Sequence, residues 1–203
     1  MLSIVEGRVI GCLLEKERTT PDQYPLSANA LVAACNQSTA REPVMHVDEH
    51  EILSTLDGLK AAGLLRFVHP SHGRSVTRYR QVFDERHGLE PPGAALLCVL
   101  LLRGPQTAAE LHARTVRLYE FGSAADAEAA LHALAREELV RLLDRQPGQS
   151  AQRWQQLVAD EADVGRSTAV ASPASAPAGG LAARVEELEA RVAKLESALS
   201  DLL

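Results

Sequence analysis

The chain has 203 residues, of which 46 % are hydrophobic and only 3 % aromatic, and it carries a formal net charge of −6. This length exceeds that of a usual single domain, so we expect two small domains, or one domain with appendages. The acidic balance argues against a protein that coats nucleic acid or anionic membranes through its overall field, and the scarcity of aromatic residues favours helix-rich cores of Leu, Val and Ala.

The first predicted domain spans residues 1–86 and begins with three helices. Apolar residues recur with helical periodicity over residues 4–17, and the prolines that follow end this helix. Ser27 is suited to cap the second helix, "ANALVAACN", and Asp48 is suited to cap the third, which Gly63 ends.

Two β-rich runs, "LLRFV" and "VTRYRQV", follow the third helix and flank a turn that contains Pro and Gly. This pattern predicts a β-hairpin. Three helices followed by a hairpin is the element order of a winged helix.

The same order returns in the second predicted domain, residues 87–160, where Thr107 and Ser123 are suited to cap the second and third helices. A constant offset along helix, turn and strand predicts an internal repeat. A shift of 75 positions pairs Leu56 with Leu131, Leu59 with Leu134, Leu64 with Leu139, Arg66 with Arg141, Arg78 with Arg153, Tyr79 with Trp154, and Gln81 with Gln156.

The first domain has the longer connections between its helices, residues 19–27 and 37–47. We interpret them chiefly as structural joints whose prolines fix the path of the chain. The alternative is a binding loop, because polar groups on a rigid scaffold often carry function. The residues considered for that binding role are Asp22, Tyr24, Asn29, Asn36 and Arg41.

A short motif, "HVDEH", matches the H-x-x-E-H pattern of inverted zinc peptidases. Such a site needs both histidines on one helical turn and a further ligand elsewhere. If Asp48 caps the third helix, His46 lies before that helix and off the face of His50. We therefore expect solvated histidines and no metal site.

The three cysteines and the absence of catalytic motifs point away from an enzyme. Cys12 and Cys98 lie in apolar runs and are expected to be small buried residues, whereas Cys35 ends a helix-like segment without a nucleophile motif. No phosphate-binding glycine loop follows a strand, so we expect no cofactor. The chain has no apolar run of membrane-spanning length and no export signal, so we expect a cytoplasmic protein without a membrane partner.

The third helices are acidic in both domains. Residues 48–62 carry four acidic residues against one basic residue, and residues 123–138 carry the same balance. A DNA-binding winged helix usually places its third helix in the major groove, where these charges would repel phosphate.

The predicted hairpins, or wings, are basic instead. If the protein contacts DNA, the wings are expected to touch the backbone. An exposed polar strand face is the ordinary alternative. The arginines concerned are Arg66, Arg74, Arg78 and Arg80 in the first wing and Arg141, Arg145 and Arg153 in the second.

Residues 161–180 are rich in Ala, Ser, Pro and Gly and predict a flexible linker, and residues 181–203 predict a coiled-coil helix. The alternative is an amphipathic helix that folds back on its own domain. The apolar a and d positions are Leu181, Val185, Leu188, Val192, Leu195, Leu199 and Leu202, and the flanking charged residues are Arg184, Glu189, Arg191 and Glu196.

The stretch "LLEKERTTPDQYPLSANALVAACNQSTAREPVM", residues 13–45, resembles the signature of the YceH-like family of bacterial proteins. Two later stretches, "LLLRGPQTAAELHART" and "RQPGQSAQRW", are similar to the same family, so the resemblance covers about residues 4 to 158. It implies two tandem winged-helix domains, in agreement with the repeat, and it implies no catalytic residues.

Two functions are therefore expected from the sequence. The first is a DNA-associated, regulatory protein whose arginine-bearing wings contact the DNA backbone. The alternative is a protein–protein adaptor, as in acidic tandem winged-helix proteins of the ScpB-like type. A metal-dependent hydrolase that uses His46 and His50 is a distant third.

The heptad pattern generates a first testable prediction. Arg184 and Arg191 pair with Glu189 and Glu196 of a second chain only when the two helices run parallel, so we expect a parallel homodimer. Light scattering at tens of micromolar should give twice the mass of one chain. A monomer at that concentration would contradict the prediction.

Overall fold

The computed structural model describes residues 1–69 and 76–160, and these ranges form mainly helices with small antiparallel sheets, which confirms the α+β class. The helices are α1 Ile4–Thr19, α2 Ala28–Cys35, α3 Glu49–Ala61, α4 Phe83–His87, α5 Pro91–Arg103, α6 Ala108–Thr115 and α7 Ala124–Arg136. The strands are β1 Leu26–Ser27, β2 Leu65–Val68, β3 Arg78–Gln81, β4 Val140–Leu142 and β5 Trp154–Gln156.

Several predicted features lie outside the described residues. They are Arg74 of the first wing, the linker 161–180, and the coiled-coil helix 181–203 with all of its proposed dimer contacts. None of the helices that the structure describes has the length and apolar character needed to cross a membrane.

Local capping chemistry sets where the helices begin, as the sequence predicted. The side chains of Ser27, Asp48, Thr107 and Ser123 each accept a hydrogen bond from the backbone N–H three residues later. The chain leaves α3 through Gly63, whose φ of 71° lies in the left-handed region that glycine adopts without a Cβ clash.

The predicted first hairpin is present, and it belongs to a three-stranded sheet in the order β1-β3-β2. Leu65 lies opposite Gln81, and Phe67 lies opposite Tyr79. The short strand β1 pairs Leu26 with Tyr79 on the other side of β3. Neither β1 nor the helix α4 that follows β3 was predicted from the sequence.

The second half repeats these contacts. Strands β4 and β5 are antiparallel, and Gln106 exchanges both backbone hydrogen bonds with Trp154, at 3.0 and 2.7 Å, on the side where β1 lies in the first sheet. The N–H of Leu64 donates to the carbonyl of Leu59 at 3.0 Å, and Leu139 donates to Leu134 at 3.0 Å. The predicted offset of 75 residues therefore recurs in the backbone hydrogen bonds.

Helices α1 and α5 join the two halves, and residues Met1–Ala162 form one compact unit. A Cβ at Gly11 would lie 2.9 Å from Cδ2 of Leu102, and a Cβ at Gly7 would lie 2.6 Å from the Cβ of Ala159. The thiol of Cys98 on α5 donates to the carbonyl of Gly11 at 3.3 Å. The close approach of α5 to α1 thus depends on a glycine of α1.

The end of this unit returns to its beginning. The N–H of Leu2 donates to the carbonyl of Val158 at 2.9 Å, and Asp160 donates to the carbonyl of Leu2 at 2.8 Å. Ala159, between them, occupies the space that the missing side chain of Gly7 leaves. The segment after β5 is therefore packed against the first turns of α1.

This packing predicts opposite effects for two Gly-to-Ala substitutions in helices. Gly7→Ala should lower the free energy of unfolding by about 1–3 kcal/mol, because the new methyl group overlaps Ala159. Gly58→Ala on α3 meets only a Glu6 carboxylate oxygen at 3.3 Å, so it should raise stability by about 0.5–1 kcal/mol. Urea denaturation measures both, and a stabilising Gly7→Ala would contradict this account of the contact.

Candidate functional site

The connection that follows α2, residues 36–47, contains the last part of the signature stretch, and we name it the signature loop. Two arginine side chains are buried here. Arg8 on α1 is only 2 % exposed, and Arg41 within the loop is only 6 % exposed. Buried charges require hydrogen-bond partners or counter-ions, so these two guanidinium groups define what the loop can do.

Arg8 connects α1 to the end of α2 and to the signature loop. Its Nη1 donates to the carbonyl of Cys35 at 3.2 Å, and its Nη2 donates to the carbonyl of Pro43 at 2.7 Å. Its Nε is buried and has no hydrogen-bond partner among the described residues. Burial lowers the pKa of Arg8, because the charged form has lost its water.

Arg41 carries the only direct carboxylate contact of this pair within the described residues. Its Nη2 lies 2.6 Å from Oε2 of Glu15, and its Nη1 donates to Oε1 of the same carboxylate at 3.2 Å. Its Nε donates to the carbonyl of Ala34 at 3.0 Å. The two-pronged contact joins the loop to α1 and α2 in a geometry suited to guanidinium.

Further hydrogen bonds close the loop at its ends. The side chain of Asn36 donates to the carbonyl of Val47 at 2.8 Å and accepts from its N–H at 2.9 Å. The N–H of Glu42 donates to the carbonyl of Leu102 on α5 at 2.8 Å. The loop is therefore fixed to α1, α2 and α5, and it does not hang freely over them.

The five residues considered for binding fall into two groups. The hydroxyl of Tyr24 accepts the N–H of Gln81 on β3 at 2.8 Å, so Tyr24 connects the preceding joint to the sheet. Asn36 and Arg41 bond to the protein itself, as described above. Asp22 and Asn29 lie exposed on the surface. The structure does not bring the five together in one site.

The cysteines are the unexpected part of this region. Cys12 and Cys98 are fully buried, which confirms their prediction as core residues, and Cys35 is fully buried as well. The sulfur atoms of Cys12 on α1 and Cys35 on α2 are 3.8 Å apart. Their proximity was not predicted from the sequence, because 22 residues separate them in the chain.

Two of the wing arginines have equivalent structural roles. Nη1 of Arg78 donates to the carbonyl of Pro25 at 2.8 Å, and Nη1 of Arg153 donates to the carbonyl of Pro105 at 2.9 Å. Arg153 also lies 3.2 Å from a carboxylate oxygen of Glu110. Each guanidinium group thus holds its hairpin to the joint that precedes the second helix of the same half.

The other described wing arginines contact side chains or solvent. Arg66 and Arg80 both contact the carboxylate of Glu85. Nη2 of Arg66 lies 4.0 Å from Oε2 of Glu85, and the side chain of Arg66 is 66 % exposed. Arg141 donates from Nε to Oε1 of Gln155 at 2.7 Å, and Arg145 is exposed. Glu85 therefore offsets part of the positive charge of the first wing.

The acidic side chains of α3 and α7 face solvent. Glu49, Glu51 and Asp57 are exposed on α3, together with Leu53, which is 42 % exposed. Lys60, the basic residue of α3, lies 4.0 Å from the ring centroid of Phe67 on β2. On α7 the corresponding exposed acidic residues are Asp126 and Glu128.

Both histidines of the "HVDEH" motif are exposed, as the sequence predicted. Asp48 caps α3, as expected, so His46 precedes the helix and His50 lies in its first turn. Within residues 1–69 and 76–160, no group of three or more His, Cys, Asp or Glu side chains could hold a metal ion.

Comparison with known proteins identifies relatives of the whole chain. A family described as "Protein of unknown function, DUF480" matches residues 2–149. A UPF0502 protein of Dechloromonas aromatica is 43 % identical over 99 % of this chain and 92 % of its own length. The UPF0502 protein YceH of Escherichia fergusonii and a UPF0502 protein of Citrobacter koseri are each 46 % identical over 100 % of this chain and 96 % of theirs.

The ion pair beneath the loop generates a prediction about pH. Burial raises the pKa of Glu15, but its hydrogen bonds and charge attraction with Arg41 lower it by more, so the pKa lies below its ordinary value. A lowered pKa stabilises the fold above the unfolded value of about 4.3 and loses that contribution as the pH falls through the folded value.

Glu15→Gln should therefore lower the free energy of unfolding at pH 7 by about 3 kcal/mol, because Arg41 stays buried without its counter-ion. The difference in the free energy of unfolding between this variant and the natural chain should shrink as the pH falls below about 4. Urea unfolding between pH 7 and 3 measures it, with Glu42→Gln as an exposed control in the same loop. A difference that is independent of pH would contradict the assignment.

Proposed function

This chain belongs to the YceH-like, DUF480 family, and we propose that it is a non-enzymatic, cytoplasmic adaptor that binds a protein partner through two tandem winged-helix units. The partner surface is basic, since the helices offered to it are acidic. The observation that carries the proposal is the exposure of Glu49, Glu51 and Asp57 on α3 and of Asp126 and Glu128 on α7, where the offset of 75 positions pairs Glu51 with Asp126.

The repeated element order supports the winged-helix interpretation. Each half has three longer helices followed by two antiparallel strands, and α3 and α7 occupy the third place. The matched contacts of Arg78 with Pro25 and Arg153 with Pro105 support a common ancestry of the two hairpins. In a DNA-binding protein of this class the third helix enters the major groove.

Charge favours a protein partner over the groove of DNA. Carboxylates on the third helix would have to approach phosphate at close range, and no counter-ion release would offset that repulsion. The exposed Leu53 adds an apolar contact in the middle of the acidic face of α3. Polar rims surround the apolar centre of protein interfaces, and an acidic rim would steer a basic partner.

A second candidate function is DNA association through the wings, and the exposure of Arg66 favours it. Its contact with Glu85 is 4.0 Å long and solvent-exposed, and such ion pairs contribute little stability. A phosphate group could therefore replace Glu85 without a large penalty. Arg141 and Arg145 would offer the equivalent contact in the second half.

We also propose that the protein acts as a homodimer joined by residues 181–203, for which the heptad pattern is the support. A dimer would present every acidic face twice. Two weak contacts on one partner assembly then act together and raise the apparent affinity.

The adaptor proposal is tested with two variants of equal charge change. The acidic-face variant is Glu51→Lys, Ser54→Lys and Asp57→Lys, all exposed on α3. The control variant is Asp22→Lys, Ser38→Lys and Glu42→Lys, all exposed elsewhere in the same half. Each replaces two carboxylates and one hydroxyl by ammonium groups.

Immobilised natural chain and control variant should retain the same protein from a bacterial extract, identified by mass spectrometry and released by salt. The acidic-face variant should lose it. If all three baits retain the same proteins, α3 is not the binding face and the proposal is wrong.

Fluorescence anisotropy on a mixed-sequence DNA duplex separates the two candidate functions. The natural chain and the control variant should show no salt-dependent binding, whereas the acidic-face variant should gain it, because its third helix then attracts phosphate. Binding by the natural chain that weakens with salt, and that falls when Arg66 and Arg141 are replaced by Glu, would instead support the wings.

A further inference from the structure

We propose that Cys12 and Cys35 form a reversible intramolecular disulfide, which makes this thiol pair an oxidative modification site at the base of the signature loop. The proposal does not depend on the adaptor function. It depends on the position of two buried sulfur atoms between α1 and α2.

The distance between the two sulfur atoms supports the proposal. The two sulfur atoms lie 3.8 Å apart, and a disulfide bond is about 2.0 Å long, so the atoms must approach by only about 1.8 Å. Cys35 is the last residue of α2, and the end of a helix moves more readily than its middle. Cys98 has a different partner, because its thiol donates a hydrogen bond to the carbonyl of Gly11.

The charges around the pair are the second argument. Burial raises the pKa of Cys12, but the hydrogen bond from the thiol of Cys35 and the charge of Arg41 lower it by more, so the net shift is downward. The same hydrogen bond and burial raise the pKa of Cys35. Cys12 is thus the thiol of the pair that loses its proton more readily, and the thiolate is the nucleophile in cysteine chemistry.

The oxidant that we name is a small hydroperoxide. The Cys12 thiolate attacks the O–O bond and becomes a sulfenic acid, while the other peroxide oxygen leaves and takes up a proton. The Cys35 sulfur then displaces the sulfenic hydroxyl as water, and its own proton is released to that leaving group. Two thiols and one hydrogen peroxide molecule give one disulfide and two water molecules.

The fold suggests what the disulfide would change. The carbonyl of Cys35 accepts from Arg8, and Asn36, the first residue of the signature loop, follows directly. Both thiols are fully buried, so peroxide reaches them only when the loop region opens. The disulfide would hold the end of α2 on α1 and oppose further opening.

The test maps disulfide links in the natural, full-length chain, whose three cysteines fall in separate tryptic peptides, residues 9–16, 19–41 and 87–103. Reduced protein is treated with hydrogen peroxide, alkylated in denaturant and digested without reductant. We expect peptides 9–16 and 19–41 joined, with a mass two hydrogen atoms below their sum, and separated again by dithiothreitol. Protein oxidised in strong denaturant should lose this selectivity.

Three results would overturn the proposal. The first is alkylation of both Cys12 and Cys35, which shows that both thiols stayed reduced, while Cys98 is oxidised. The second is a disulfide between two chains, and the third is oxidation of Cys12 alone to the sulfinic acid. Cys98→Ser should leave the link unchanged and Cys12→Ser should abolish it. If Cys12→Ser does not fold, hydrogen exchange of the natural chain decides, because residues 36–47 should exchange more slowly after oxidation and recover with reductant.

Discussion

The contact between α1 and α5 is the constraint on which the rest of this structure depends. Gly7 and Gly11 have no side chains, so Ala159 and Leu102 pack directly against the backbone of α1. Glycine in a helix costs about 1 kcal/mol relative to alanine, so close packing must offset that cost. Because the first helix of each half is buried by this contact, the third helices and the hairpins are left to meet solvent.

A second constraint is the pair of arginines under the signature loop. Arg8 and Arg41 are buried and hold the loop through carbonyl groups and one carboxylate. Within the stretch that carries the family resemblance, Tyr24, Asn36 and Arg41 thus bond to the protein itself.

The sequence predicted those elements whose causes are local. Caps at Ser27 and Asp48 and the first hairpin depend on neighbours in the chain, so they could be read directly. Burial of Arg41 could not, because an arginine in a polar loop is ordinarily exposed and only the fold supplies Glu15 as its partner. The same holds for Cys12 and Cys35, which meet only because α1 packs on α2.

We infer that the two halves of the described chain form one cooperative body joined through α1 and α5. Equilibrium urea unfolding of the full chain tests it most directly, because Trp154 is the single tryptophan and reports only the second half. We predict that its fluorescence and the hydrogen exchange of α2 and α3 in the first half report one shared transition. Separate midpoints for the two halves would contradict the account.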